Sequence, residues 1–163
     1  MNLPDLIKKK VVSRKDIPGV FSAEFREGKT LVFTNGCFDI LHKGHLHLLS
    51  SAKNQGDILI VALNTDSSVR KLKGPNRPVN NESTRTEIMA SLVFVDYLVL
   101  FEEETPLEII RCILPDVLVK GGDYKLEDIV GYDFVTSSGG KVITIPFLEG
   151  FSSSSLIDKI EQG

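Results

Sequence analysis

Short apolar segments rich in β-branched residues alternate along this chain with longer segments of helical periodicity. The apolar segments occupy residues 30–34, 58–63, 97–101, 117–119 and 141–145. Their almost continuous apolar character is typical of strands that are covered on both faces of a sheet. The segments of helical periodicity occupy residues 44–54, 83–93, 106–114 and 126–137, and a final helix is predicted at 154–160. Strands that alternate with helices predict a parallel sheet with right-handed crossovers.

This pattern predicts an α/β fold: a Rossmann-like, doubly wound parallel sheet of about five strands flanked by helices. The 163 residues suit one compact domain, since a chain of this length buries roughly two-thirds of its unfolded surface. We expect residues 1–28 to form a helical lead-in of one or two helices, interrupted by Pro18 and Gly19, and residues 29–163 to form the sheet domain. The longest irregular stretch, 72–81, is rich in glycine and proline, and a loop of this length is often functional.

Composition and charge limit the classes of function. The formal net charge of -3 argues against a nucleic-acid partner, because such proteins usually carry a basic surplus. The two cysteines, Cys37 and Cys112, lie far apart and show no zinc-site spacing. The N-terminus lacks the apolar core of a signal peptide, and no stretch approaches the roughly 20 apolar residues of a membrane helix. We therefore expect a cytoplasmic protein without a membrane partner.

The candidate chemistry is concentrated in residues 34–45 (TNGCFDILHKGH), which follow the first predicted strand and open the first crossover helix. Ligands of parallel sheets bind at the carboxyl ends of strands, and helix N-termini bind phosphate. His42 and His45, three residues apart, would project from one side of the helix and donate hydrogen bonds to a phosphate. Gly36 would allow a tight turn and Gly44 a close approach. The alternatives are a helix cap, a polar surface turn, or a zinc site, for which a third ligand is missing.

Four other segments admit both a functional and a structural interpretation. Residues 70–77 carry four cations and no acid, which suits a solvated basic loop or a mobile group that closes on a triphosphate. Residues 64–66 end the second strand, where they would contact the ligand cleft or cap a helix. Residues 120–124 (KGGDY) end the fourth strand, where paired glycines admit a ligand or make a turn. Residues 152–155 are four serines, which form a flexible linker or a phosphate-binding helix start.

Taken together, these motifs resemble those of a known superfamily. Residues 42–45 are similar to the HxGH signature of the nucleotidyltransferases. The wider pattern, at 35–39, 72–74, 77–79 and 119–124, resembles the heptose 1-phosphate adenylyltransferases. The similarity covers about residues 29 to 160, so that 29–163 would be the nucleotidyltransferase domain. In that family the domain is often fused to a sugar kinase.

The resemblance implies transfer of AMP from ATP to D-glycero-β-D-manno-heptose 1-phosphate, which gives ADP-heptose and pyrophosphate. It implies Mg2+ accompanying the ATP, a product used for lipopolysaccharide or another surface glycan, a homodimer, and functional coupling to a separate heptose kinase. The main rival is a glycerol 3-phosphate or phosphoethanolamine cytidylyltransferase, and a flavin adenylyltransferase is another. Rivals of a different class are a non-catalytic nucleotide-binding module and a fragment of a class I aminoacyl-tRNA synthetase, which the short acidic chain disfavours.

The resemblance and the positions of the motifs together predict three groups of site residues. The predicted catalytic residues are His42, His45 and Lys73. The predicted nucleotide-binding residues are Asn35, Gly36, Cys37, Phe38, Gly44, Asn64, Arg85, Ser152, Ser153 and Ser154. The predicted substrate-binding residues are Asp39, Lys120, Gly121, Asp123 and Tyr124. No protein side chain is assigned to a metal. Structural alternatives also exist for Arg85, which would pair with Glu82 or Glu87 on the surface, and for Asp39, which would fix its turn or orient a histidine.

Overall fold

The computed structural model describes residues 2–153, 156, 157 and 160. Its centre is a sheet of five strands: Leu31–Gly36 (β1), Ile58–Asn64 (β2), Tyr97–Phe101 (β3), Val117–Gly121 (β4) and Lys141–Ile145 (β5). All neighbouring strands are parallel, and their order is β3-β2-β1-β4-β5. The predicted doubly wound α/β fold is therefore confirmed. The ends of β1 and β4 extend two residues further than predicted, so that residues 35 and 36 belong to β1.

Eight α-helices connect or precede the strands within the described residues. They are Leu3–Lys10 (α1), Ile17–Val20 (α2), Ala23–Arg26 (α3), Lys43–Lys53 (α4), Asp66–Lys73 (α5), Glu82–Ala90 (α6), Leu107–Ile113 (α7) and Tyr132–Ser137 (α8), with 3-10 turns at Arg14–Asp16 and Leu126–Asp128. At the C-terminus, residues 153, 156, 157 and 160 are helical. The remaining residues of the predicted final helix, including Ser154, lie outside the described residues.

Three helical predictions differ from the structure. Helix α5 was not predicted, because its sequence is mostly polar and buries only Ser68 and Val69. The single helix expected at 126–137 is divided into a 3-10 turn and α8, because Gly131 at the start of α8 has a left-handed φ of 95°. Pro18 does not interrupt a helix, since it lies in the first turn of α2, where a missing backbone N–H costs little.

The sheet is covered on both faces, as its apolar strands require. One face packs under α2, α7 and α8, and the other packs under α4 and α6. The lead-in contributes to both layers, because Ile17 and Phe21 lie in the core of the first, whereas Ile7 of α1 packs against the core of the second. Val12 N also donates to Leu98 O (2.8 Å), which ties the lead-in to the sheet. No helix in the described part of the chain is long and apolar enough to cross a membrane.

The strand order creates a crevice beside β1. The chain leaves β1 toward α4 on one face of the sheet, and it leaves the neighbouring strand β4 toward α8 on the other face. The connections after β1 and β4 therefore diverge at their carboxyl ends. Such a switch point is where open α/β sheets bind ligands, and the histidine segment follows β1 at this edge.

Candidate active site

A cleft of about 540 Å³ opens at the carboxyl edge of the sheet beside the first turn of α4. Its lining includes the three predicted catalytic residues, His42, His45 and Lys73. It also includes four of the other predicted site residues: Gly44, Gly121, Ser152 and Ser153. Residues that are far apart in the sequence, from 42 to 153, thus meet in one concave surface.

The two imidazoles form a stacked pair at the start of α4. His42 is the N-cap residue, with extended backbone (φ -145°, ψ 170°), and α4 begins at the next residue. The rings of His42 and His45 have centroids 3.7 Å apart and planes 22° apart. Phe38 supports the pair, because its ring lies 5.1 Å from that of His45. Both Nδ1 atoms are buried without a hydrogen-bond partner among the described residues.

Glycine at position 44 allows the first imidazole to pack closely against α4. A Cβ atom on Gly44 would lie 3.0 Å from His42 Nδ1 and 3.1 Å from His42 Cε1. It would also lie 3.4 Å from Cβ of Phe151 on the far wall of the cleft. A side chain at position 44 would therefore push the His42 ring away from its place beside His45, which is a steric reason for glycine in the spacing His-x-Gly-His.

Burial favours the neutral form of both histidines. Burial lowers the pKa of His45 to about 4, with further lowering by His42 and Lys73, while the Ile40 carbonyl opposes the shift. Burial also lowers the pKa of His42. Neutral imidazoles bind an anion as hydrogen-bond donors, and an anion at this position would itself favour protonation.

Asp39 is buried and contacts the protein rather than the cleft. Its carboxylate accepts hydrogen bonds from Arg77 Nε (2.7 Å), Val79 N (3.0 Å) and Asn80 N (2.9 Å). Burial acts to raise the pKa of Asp39, but these donors outweigh it and hold the pKa below the usual value. The side chain is 1% exposed. This geometry supports the structural alternative, in which Asp39 fixes its turn, over direct contact with a substrate.

Arg85 is fully buried, which overturns the surface pairing expected as its structural alternative. Its guanidinium donates to Cys37 O (2.7 Å), Asn80 O (3.1 Å) and Asp66 Oδ1 (2.9 Å). The predicted surface pairing with an adjacent glutamate is wrong, because the side chain is 0% exposed. For the same reason, no part of the side chain is open to a bound nucleotide.

A small polar cluster lies beneath the histidine turn. Asn64, which is 4% exposed, donates from Nδ2 to Ser68 Oγ (2.9 Å), and Cys37 Sγ lies 3.8 Å from Asn64 Oδ1. Thr65 caps α5, since its hydroxyl accepts from Ser68 N (3.3 Å), so the capping alternative for 64–66 is confirmed. Burial raises the pKa of the Cys37 thiol. A protonated thiol in this position is a poor nucleophile.

A second cavity of about 220 Å³ lies on the other side of the β1–β4 edge. It brings together Asn35, Lys120 and Tyr124 with residues 128–130. Burial lowers the pKa of Lys120, and a nearby Cys37 acts in the opposite direction. The Lys120 ammonium has no hydrogen bond or ion pair with any described residue. Lys120 lines this second cavity, whereas Gly121 lines the histidine cleft. Successive residues of a strand face opposite sides of the sheet, which explains the difference.

The other predicted site residues lie around these two cavities. Ser153 Oγ donates to Ile40 O (3.2 Å), which attaches the serine segment to the histidine turn. A Cβ atom on Gly36 would lie 3.0 Å from the ring of Phe38. Phe38 itself is buried and has a φ of 45°. Asp123 is exposed and lines neither cavity.

Sequence reasoning missed the opposite wall of the histidine cleft. Residues 145–151 form that wall, and Phe147 and Phe151 are 67% and 41% exposed there. The sequence signal that could have indicated this wall is the pair of phenylalanines just before the serine segment. Residues 128–130 of the second cavity gave no signal of their own, since they lay within a predicted helix. Among the described residues, no group of three or more His, Cys, Asp or Glu side chains is placed to hold a metal ion.

Comparison with known sequences identifies relatives that match most of this chain. The bifunctional protein HldE of Trichlorobacter lovleyi is 50% identical over 151 residues, which is 93% of this chain and 31% of that protein. The bifunctional protein HldE of Azorhizobium caulinodans is 52% identical over 149 residues, or 91% of this chain and 31% of that protein. The chain thus spans about a third of the length of the curated relatives it matches.

Solved structures share the fold of this chain, and a family profile matches most of its length. A lipopolysaccharide core biosynthesis protein from Thermoplasma volcanium has a TM-score of 0.62 and 30% identity, covering 74% of this chain and 98% of that one. The pantoate-beta-alanine ligase of Francisella tularensis shares the fold alone, with a TM-score of 0.61, 16% identity, and coverage of 94% and 78%. The family described as cytidylyltransferase-like matches residues 33–159. The chain therefore belongs to the cytidylyltransferase-like family of nucleotidyltransferases.

Proposed function

We propose that this chain transfers AMP from ATP to D-glycero-β-D-manno-heptose 1-phosphate and releases ADP-heptose and pyrophosphate. The observation that carries the proposal is the meeting of His42, His45 and Lys73 in one cleft at the N-terminus of α4. The heptose acceptor is supported by the sequence resemblance and by about 50% identity to the HldE proteins. Those relatives are bifunctional, and a match over 31% of their length fits one of two activities.

The histidine cleft suits the triphosphate of ATP. The free N–H groups and positive dipole end of α4 attract anions. The paired imidazoles add neutral donors, Lys73 adds a cation, and the serine segment at 152–153 lines the same cleft. These groups would stabilise the charge on the α-phosphate and on the departing pyrophosphate, which is how proteins accelerate phosphoryl-type transfer.

The second cavity suits the acceptor. The Lys120 ammonium is partly buried without an anionic partner among the described residues, and such a charge is costly unless an anion joins it. The phosphate of the acceptor would supply that anion. The sugar would then lie in the same cavity, toward Tyr124, and its phosphate would point to the β1–β4 edge, where it meets the α-phosphate of ATP.

The chemical step is a direct in-line displacement. A phosphate oxygen of the acceptor forms a bond to the α-phosphorus of ATP, and the bond between that phosphorus and the bridging oxygen to the β-phosphate breaks. The electron pair leaves with pyrophosphate. A phosphate monoester is already anionic at neutral pH, so the protein needs no general base. Its contribution is alignment of the two ligands and stabilisation of charge.

Mg2+ would enter this site bound to ATP and would not need a preformed site made of protein ligands alone. Among the described residues that line the cleft, only Glu149 carries a carboxylate. Mg2+ is commonly held by substrate phosphates, water and one or two carboxylates, and this donor set fits that arrangement. When bound, the ion would neutralise part of the triphosphate charge. Homodimer formation, a separate heptose kinase as a partner and a cytoplasmic location stay predictions.

The proposal is tested by measuring pyrophosphate release with a panel of NTPs and phosphorylated acceptors. We expect ATP with D-glycero-β-D-manno-heptose 1-phosphate to give the highest kcat/KM. Preference for CTP with glycerol 3-phosphate would contradict the heptose assignment. Tight ATP binding without pyrophosphate release for any acceptor would identify a non-catalytic module. In a parallel assay, His45→Ala should lower turnover. Its matched control is His47→Ala, which removes an exposed histidine of α4 that does not line the cleft and should leave turnover unchanged.

A further inference from the structure

Helix α5 carries Lys73 at its last position, yet it is weakly held by the core. It is eight residues long, and only Ser68 and Val69 are buried. Helices this short are marginal by themselves and depend on tertiary contacts. The role proposed for Lys73 demands a defined position, because a displacement of about 1 Å can cost about 100-fold in rate. The contacts that fix α5 therefore matter to the reaction.

We propose that Arg85 and Asp39 are positioning residues that hold α5, and with it Lys73, over the paired histidines. This inference rests on the proposed function, in which Lys73 binds the triphosphate. It assigns to Asp39 a role different from the substrate contact that the sequence resemblance implies. Neither residue would touch a ligand.

Arg85 fixes the beginning of α5. It donates to Asp66 Oδ1 (2.9 Å) at the first residue of the helix and to Cys37 O (2.7 Å) in the turn after β1. The guanidinium is 0% exposed, and the Asp66 side chain is 22% exposed. A buried cation with a single carboxylate partner fixes its neighbours firmly, because separating the pair would leave the charge uncompensated.

Asp39 fixes the segment that follows α5. Its carboxylate binds Arg77, Val79 and Asn80, as described above, and Asn80 Nδ2 returns a hydrogen bond to Asp39 O (2.8 Å). Asn80 O also accepts from Arg85 Nε (3.1 Å), so the two anchors share one residue. Between this segment and Lys73 stands only a short connection through Gly74, whose φ of 93° ends the helix.

Both anchors attach to the same turn, residues 37–39, which also precedes the histidines. The position of Lys73 is therefore set relative to the same backbone that sets His42 and His45. Lys73 lies close enough to the pair to lower the pKa of His45. A loose anchor would separate the cation from the imidazoles without removing any of the three side chains.

A double-mutant cycle between Asp39→Asn and Lys73→Ala tests the inference. The first readout is the Kd for ATP with Mg2+, measured by calorimetry, which requires no acceptor. The second is kcat for pyrophosphate release. We expect each single variant to weaken ATP binding by about 10-fold or more, which corresponds to a lost hydrogen bond to a charged group. The double variant should be no weaker than Lys73→Ala alone, because Asp39 acts through Lys73.

Asp116→Asn is the matched control. Asp116 also accepts a backbone N–H through Oδ2, from Leu31 (2.7 Å), but at the opposite end of β1. It should lower the melting temperature and leave kcat and the Kd unchanged. If Asp39→Asn folds poorly, Asn80→Ala removes one hydrogen bond of the same anchor and should weaken ATP binding by about 2- to 10-fold.

Three outcomes would overturn the inference. If the fold-changes in Kd of Asp39→Asn and Lys73→Ala multiply in the double variant, Asp39 acts independently of Lys73. A rise in KM for the sugar phosphate alone would show direct acceptor contact. A lower melting temperature with unchanged Kd and kcat would show a purely structural role. If the wild-type protein does not use heptose 1-phosphate, the proposed acceptor fails, while the ATP-binding cycle still decides the role of Asp39.

Discussion

Gly44→Ala separates catalytic geometry from stability in this protein. The added Cβ would lie 3.0 Å from His42 Nδ1, whereas ordinary carbon contacts are about 3.5–4.0 Å. The ring of His42 must therefore retreat by about 0.5 Å. It already stacks at 3.7 Å on His45, so the movement disturbs both imidazoles. Because a misplacement of about 1 Å can cost about 100-fold, we expect kcat to fall by about 10- to 100-fold.

The stability of the same variant should not fall. Alanine is more favourable than glycine in a helix by up to about 1 kcal/mol, which for a chain of this size corresponds to about 2–4 °C in Tm. Steady-state pyrophosphate release and thermal unfolding, measured on the same preparation, give both quantities. Gly19→Ala is the control, since a Cβ on this helical glycine meets nothing within 4 Å. Turnover within about two-fold of wild type would refute the steric reasoning.

Three further results are expected. His45→Ala should lower kcat by about 10²–10³-fold, as removal of one charge-stabilising donor does elsewhere, and near-normal turnover would exclude its role. Lys120→Met should raise KM for the sugar phosphate by about 10- to 100-fold with little change in KM for ATP, and the reverse selectivity would contradict the acceptor cavity. The pKa of His45 is lowered from 6.5 to about 4 on folding, so the unfolded state binds the extra proton and the free energy of unfolding should fall as pH falls through this interval. Urea denaturation should show a smaller fall in His45→Gln, and an equal fall would contradict this assignment.

The sheet and the histidine site could be predicted because their signals are local. Strands buried on both faces are continuous apolar segments, and their alternation with helices leaves few topologies. Residues 34–45 combine a strand end, a turn and a helix start in one continuous segment, so their position at the carboxyl edge follows from the fold class alone. His42, the N-cap of α4, and His45, in its first turn, are three residues apart, so their rings are expected to lie on the same side.

Only the tertiary structure shows the surroundings of Asp39, Arg85 and Lys120. Arg85 donates to a carbonyl 48 residues away, and Asp39 binds a backbone N–H 41 residues away. Such contacts depend on how segments pack, and the charge of a side chain does not reveal whether it will face solvent or a buried partner. Helix α5 is stabilised by these distant contacts rather than by its own apolar pattern. Lys120 and Gly121 are adjacent in sequence, yet only the pleat of β4, with both cavities formed around it, assigns them to separate sites.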